Sequence, residues 1–239
     1  PLAHPIHGET IALVPAHHRD LLLSCGIHTW DAAGMVALHL AAVLRRRARD
    51  FLGIQEVSEM LEQLERAYPA LIRETVPKTV SLGELVSVLQ RLVDERVSIR
   101  DMKTILEALA HNGSGGVDEL ALYERVRSAL GHRLAERFAR PGGALPVLLV
   151  DHVIEDTIQN SIHWSDAGPS LVIEPEIAGS ISQAIFVALR PALEQGTHPV
   201  LLVNQTIRRY LRKLIELDLP EIAVLSFTEL PPELEIQPV

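Results

Sequence analysis

The sequence has a single cysteine, Cys25, and only 4% aromatic residues. One thiol builds neither a disulfide framework nor a thiolate metal cage, and it fits a reducing compartment. Long apolar runs are also missing. The stretches near 145–150 and 199–203 extend for about six residues, whereas a membrane helix needs about 20. Positive charge is short as well: 22 Lys and Arg against 31 Asp and Glu leave a formal charge of −9. A duplex binder neutralises phosphates with clustered cations, so this balance works against one. The opening "PLAHPIHGE" has neither Met nor a charged region followed by an apolar one, and reads as a cut end instead of a signal peptide.

What the sequence does contain is ordinary globular material, 47% hydrophobic and 22% charged. Its 239 residues exceed the usual size of one core, which predicts two to four compact units. Residues 9–14 ("ETIALV") read as a strand closed by Pro15. A short helix through "HHRDLLLSC" ends at Gly26, where a left-handed cap belongs. Asp31 then caps a long helix over 32–51 whose Val36, Leu40, Val43, Leu44 and Phe51 are expected to face inward. A helix over 55–67 carries Val57, Met60, Leu61 and Leu64, and stops ahead of Tyr68-Pro69.

Two capped helices follow. "SLGELVSVLQRLV" has Ser81 and Glu84 at its start, and "VSIRDMKTILEALA" has Ser98 and Asp101, each with an apolar stripe at spacings of three and four. Joined by "DERV", they read either as a helix-turn-helix for DNA or as a packing unit that presents a surface to proteins. "HNGSGG" (111–116) is a connector, and a helix over 117–138 brings Leu122, Val126, Leu130 and Leu134 to one side. Pro141-Gly142-Gly143 is the clearest boundary. Beyond it, "LPVLLV" (145–150), a strand near 170–174, "HPVLLV" (198–203) and "IAVLSF" (222–227) alternate with helices capped by Asp151 and Asn204, plus one over 176–194. That alternation predicts a small α/β unit with mostly parallel pairing. The closing "ELPPELEIQPV" reads as extended.

Catalytic and metal chemistry find little footing. His4 with His7, or His17 with His18, lack the third and fourth ligands that zinc requires, and no HExxH or CxxC accompanies them. "NGSGG" follows a helix and precedes no Lys-Ser/Thr, unlike a phosphate loop. No GxSxG elbow follows a strand, and Glu155 and Asp156 diverge as adjacent residues on a helix. The expectation is no enzyme, no cofactor and no metal. Arg45, Arg46, Arg47 and Arg49 crowd a helix end, where cations favour the macrodipole. Arg208, Arg209, Arg212 and Lys213 lie opposite the stripe Ile207, Leu211, Leu214 and Ile215. On the 98–111 helix, Arg100, Asp101, Lys103 and Glu107 mix signs, a poor match to a groove lined by phosphates.

With these segments in order, the chain resembles the cytoplasmic domain of the export-gate protein of type III secretion systems, the family of flagellar FlhA and injectisome SctV (LcrD/InvA-type) proteins. The likeness is densest in "WDAAGMVALHLAAVLRRRARDFLGIQEVSEMLEQLERAYPALIRE" and "VPKTVSLGELVSVLQRLVDERVSIRDMKTILEALA". It continues in "LPVLLVDHVIEDTI", "PVLLVNQTIRRYLRKLIE" and "AVLSFTELPPELEIQPV". "GIQE" and "IRRYLRKLIE" favour the injectisome branch. The resemblance implies a multi-subdomain α+β or α/β fold: an N-terminal α/β piece (1–53) like the family's second subdomain and a helical remnant of the first (54–75). A helical third subdomain (76–142) and a small α/β fourth (143–239) complete it.

It further implies a bacterial inner-membrane protein anchored by an N-terminal membrane region lying outside this chain, with this part on the cytoplasmic side. Such proteins form a homo-nonameric ring that receives chaperone–substrate complexes and other export-apparatus proteins, binds no nucleic acid, and is not known as an enzyme. In flagellar relatives chaperones dock in a cleft between the second and fourth subdomains. The corresponding positions here are Ile27 after Gly26, with Trp30, and Val57 or Ser58. Ile27 stands where the family has an aromatic. The third subdomain carries ring contacts, making Arg100, Asp101 and Lys103 candidates, with the basic stripe Arg208, Arg209 and Arg212 as a further one.

Overall fold

The computed structural model describes residues 2–3, 10–111, 119–140, 143–165 and 168–239. His4, His7, residues 112–116 of the glycine-rich connector and Pro141-Gly142 lie outside them. The chain divides into two compact units, Pro1–Arg100 and Asp101–Val239.

In the first unit, β1 (Leu2–Ala3) and β2 (Thr10–Ile11) form a two-residue antiparallel pair. The strand expected over 9–14 is therefore cut short, and Leu13 and Val14 are exposed. A 3-10 turn at Ala16–His18 leads into α1 (Arg19–Ser24). Gly26 adopts φ +76°, and the Ile27 N–H donates to the Leu22 carbonyl at 2.9 Å. That is the left-handed helix end expected there.

Asp31 caps α2 (Ala32–Arg46), its Oδ1 accepting from the Gly34 N–H at 2.7 Å. The helix stops five residues before the expected end, and Ala48–Phe51 form a separate 3-10 turn. The larger correction concerns its packing: α2 buries none of its residues. Val36 is 67% and Leu40 55% exposed, and Val43, Leu44 and Phe51 also lie open. An apolar stripe drives burial only against another apolar surface, and the described residues of this unit bring none against it.

The rest of the unit packs well. α3 (Ile54–Glu65) begins at Gly53, whose N–H donates to Glu56 Oε2 at 2.9 Å, and Pro69 opens α4 (Pro69–Thr75) at the first helical position. α5 (Leu82–Asp94) has the expected capping box: Glu84 N–H donates to Ser81 Oγ at 3.2 Å, and Ser81 N–H to Glu84 Oε2 at 2.7 Å. Leu85, Leu89 and Leu92 are completely buried, together with Val57 of α3. Gln90 Nε2 donates to the Leu52 carbonyl at 2.7 Å, tying α5 to the chain ahead of α3.

The second unit opens with three helices, α6 (Met102–Ala110), α7 (Glu119–Ala129) and α8 (Gly131–Phe138). The cap of α6 is Asp101, not Ser98: Thr104 donates to it from its N–H at 3.2 Å and from its hydroxyl at 2.7 Å. Ser98 Oγ only accepts from the Arg100 N–H, at 3.4 Å. Both residues are good caps, and Asp101 wins because Thr104 supplies two donors. The single helix expected over 117–138 is broken at Leu130. Gly131 begins α8 against the backbone of Glu229, and a Cβ there would run into the Glu229 carbonyl oxygen. Leu122, Val126, Leu130 and Leu134 are nonetheless all buried.

A four-stranded parallel sheet follows, built of β3 (Leu145–Leu149), β6 (Val200–Val203), β7 (Val224–Ser226) and β8 (Ile236–Pro238), in the order β7-β6-β3-β8. The proline-rich tail is thus a strand, paired to β3 through Leu145 and Ile236. The segment near 170 is not part of this sheet. It forms β5 (Gly168–Leu171), an antiparallel hairpin with β4 (Ile162–Ser165). α9 (His152–Asn160) and α11 (Gln205–Ile215) start at Asp151 and Asn204 as expected, and α10 spans Pro175–Glu194. Ile158, Ile185, Leu189, Leu201, Ile207 and Leu211 join in one core between these helices and the sheet.

Candidate protein-interaction surfaces

Ile27 and Trp30 sit on the segment between α1 and α2. Both are exposed, Ile27 at 53%, with Leu21, Leu23 and the bare stripe of α2 adding further open apolar area in the same unit. These exposed apolar side chains make the segment a candidate binding face. Val57 does not belong to such a face. It is completely buried in the α3–α5 core, so of the two wall candidates only the half-exposed Ser58 is accessible.

The candidate ring residues separate by the same test. Arg100 is exposed. Asp101 is directed inward, capping α6 and accepting from Arg133 Nε at 2.9 Å. Partial burial pushes its carboxyl up, but the Thr104 hydrogen bonds and the charges of Arg133 and Lys103 outweigh that and hold it below the usual carboxylate range. Lys103 lies 3.6 Å from Glu107 on the same helix face. A pair this exposed contributes little to stability and leaves both groups near the surface.

On α11, the basic residues Arg208, Arg209 and Arg212 make contacts within the subunit. Arg208 has no solvent exposure and donates to Glu124 of α7 through Nη2 at 2.7 Å and Nε at 3.3 Å. Arg212 turns back on its own chain, donating to the carbonyls of Leu219, Pro220 and Ile222 at 3.0–3.3 Å. Arg209 stacks on the Tyr210 ring, 4.3 Å from its centroid, and bonds to the Tyr210 hydroxyl. Polar side chains satisfied this way hold an element in place.

A second buried pair lies beside the first and had no signal in the sequence. Arg127 Nε donates to Glu229 Oε1 at 2.5 Å, both side chains sealed from solvent, across 102 residues. Glu229 also accepts from Ser226 through its N–H at 2.7 Å and its hydroxyl at 3.1 Å. The Tyr123 ring centroid is 5.9 Å from the guanidinium of Arg127 and 5.7 Å from that of Arg208. This network joins α7 to α11 and to the turn after β7. A sequence reading sees four ordinary charged residues.

Among the described residues no cluster of three His, Cys, Asp or Glu could hold a metal. His17 and His18 stack on each other, with ring centroids 4.1 Å apart, and Cys25 is exposed. No helix of the described residues is long and apolar enough to cross a membrane. The mixed-sign face of α6, and the placing of α5 and α6 in different compact units, give no support to a DNA-reading pair.

The sequence profile of the FHIPEP family matches residues 1–235. The chain belongs to that family. Among FHIPEP relatives, the low calcium response locus protein D of Yersinia pestis is 35% identical over 236 residues, which cover 99% of this chain and 33% of that protein. The chain thus spans about a third of the length of this curated relative. Among solved structures, the nonameric SctV-C of EPEC matches with a TM-score of 0.83 and 31% identity, over 93% of this chain and 67% of that one. The Chlamydia pneumoniae CdsV protein, solved in complex with CdsO, matches with a TM-score of 0.81 and 34% identity, over 95% of this chain and 66% of that one. The mixed α+β fold expected from sequence is the fold of these FHIPEP cytoplasmic domains.

Proposed function

We infer that this chain is the cytoplasmic part of a type III secretion export gate, a ring-forming platform that captures exported polypeptides with their chaperones. The observation that carries the reading is the match to a nonameric SctV-C over 93% of the chain. The exposed Ile27 and Trp30 support it, because a docking platform needs faces that remain uncovered until a partner arrives. The α2 stripe is assigned to packing against the first subdomain in the whole protein, and Ile27, Trp30 and Ser58 to chaperone capture. Successive clients require contacts that release quickly, which suits a modest apolar face better than a large, tightly complementary one. Ring contacts are assigned to Arg100 and the Lys103–Glu107 flank of α6. Asp101 acts from behind by fixing the start of that helix, and Arg208 leaves the set because it is sealed inside the subunit. The reading assigns the chain no catalytic step.

Two measurements test it. Ile27→Asp is expected to weaken pull-down of type III chaperone–substrate complexes while leaving the circular dichroism spectrum unchanged; undiminished capture removes the Ile27 assignment. Arg100→Glu is expected to reduce ring formation by light scattering at high protein concentration. Equal assembly by the variant moves the ring contact elsewhere.

A further inference from the structure

The fourth-subdomain portion carries a groove that the reading above does not use. α9 and α10 enclose a cavity of about 420 Å³, with Ile154 and Ile181 in its floor and Val153, Thr157, Ile177 and Ala184 along its walls. Val153 and Ile177 are exposed. α10 has no charged residue from Ile177 to Leu189, a span of about 20 Å along a helix axis. Ile181, Ile185 and Leu189 of that span face the core, while Ile177 and Ala184 lie open at the groove.

The segment of sequence that contains the groove has charge of one sign. From Pro141 to Leu189 there is no Lys or Arg, against six acids: Asp151, Glu155, Asp156, Asp166, Glu174 and Glu176. Two of them have other work, since Asp151 caps α9 and Glu155 accepts from the Asn204 N–H at 2.8 Å. Glu176 itself lines the groove, and Asp156 follows Val153 by three residues, on the same face of α9. Three basic residues of the α/β portion make contacts of their own. Arg208 and Arg212 are bonded internally, and Arg190 pairs with Glu194 at 2.7 Å beyond the uncharged span.

We propose that this groove is a docking site for a basic amphipathic α-helix of a partner protein. An apolar trough between two helices accepts a third by its apolar face. It offers no row of backbone donors and acceptors, which an extended peptide needs to add as a strand. The acidic rim repels nucleic acid and anionic membranes. A second copy docking the same face would set acid against acid. Cations flanking the apolar face of the incoming helix meet Asp156 and Glu176, which fixes direction and raises the association rate. The site uses none of the residues assigned to chaperone capture or to the ring, so it stands or falls separately from that reading.

The experiment titrates the full chain with a fluorescein-labelled amphipathic Leu/Lys helix of about 14 residues and with its Leu/Glu counterpart, reading anisotropy. The Leu/Lys peptide is expected to bind at least about tenfold more tightly than the Leu/Glu peptide, and less so at high salt. Ala184→Arg, which fills the trough, and the pair Asp156→Lys with Glu176→Lys are each expected to weaken binding by about tenfold. Asp218→Lys, an acid reversal on an exposed loop elsewhere, is expected to leave it within about twofold. Circular dichroism confirms that each variant is folded. Equal binding of both peptides overturns the proposal, as does Ala184→Arg binding like the parent or Asp218→Lys losing as much as the pair. Self-association of the unmodified chain that Ala184→Arg abolishes, without peptide binding, replaces the partner helix with a second copy and also overturns it.

Discussion

α2 and α11 are written in the same pattern. Each has an apolar stripe at helical spacing and a crowd of arginines, and each starts at a side-chain cap, Asp31 or Asn204. Their fates are opposite. α11 buries Ile207, Leu211 and Ile215 against the parallel sheet and even seals Arg208 inside; α2 buries nothing. Periodicity therefore determines which side of a helix is able to be buried, and a neighbouring apolar surface determines whether it is. α11 has that neighbour because the strands β6 and β7 on either side of it in sequence pair in parallel and place their helix on the sheet. The short β1–β2 pair ahead of α2 provides no comparable face.

The comparison is broken most forcefully at the buried ion pairs that accompany α11. Arg127→Met removes the guanidinium partner of the buried Glu229 carboxyl, and the expected loss is about 3–5 kcal/mol in urea unfolding. Adding Glu229→Gln, which keeps an acceptor for the Ser226 N–H, is expected to restore more than half of it. If the single variant is as stable as the parent, the network does not hold α7 to the turn after β7.

The helices themselves give the next contrast. Leu211→Ala is expected to destabilise by about 2–5 kcal/mol, through lost burial and the cavity left behind. Leu40→Ala, on an exposed stripe of the same spacing, is expected to stay within about 0.5 kcal/mol. Matching losses at the two sites mean that α2 is covered in solution.

The smallest effect sharpens where helices begin. Asp101→Ala is expected to cost about 1 kcal/mol, and Ser98→Ala no more than about 0.5 kcal/mol. Asp101 and Glu84 both have folded-state carboxyls below their ordinary values. Each contributes stability that is complete above the unfolded-state value and lost as pH falls through the lower folded one. Acid unfolding below about pH 4 is where Asp101→Ala flattens the profile. An unchanged acid limb places the α6 cap elsewhere.

Local signals carried much of the fold. The Ser81–Glu84 box, the left-handed Gly26 and the caps at Asp31, Asp151 and Asn204 were all legible, because each rests on hydrogen bonds reaching no more than a few residues along the chain. Where two good caps competed, as at Ser98 and Asp101, the choice turned on Thr104, one further side chain. The break at Gly131 was hidden, since its cause is the backbone of Glu229, nearly a hundred residues away. The strand β8 was hidden for the same reason: "LEIQPV" is unremarkable until β3 offers it an unpaired edge. The residues assigned to partner contacts divide by burial. Ile27 and Arg100 stand exposed, whereas Val57 and Arg208 are buried.

By itself the sequence determined where helices start, which of their faces are apolar, and, through its ordered likeness over nearly the whole chain, the FHIPEP family. Tertiary structure alone decided which of those faces are covered, which arginines are locked to a buried carboxylate, and which acidic groove is left open between α9 and α10. The division follows from range: caps and periodicity act within a few residues, while burial and desolvated charge depend on whatever distant surface folding brings alongside.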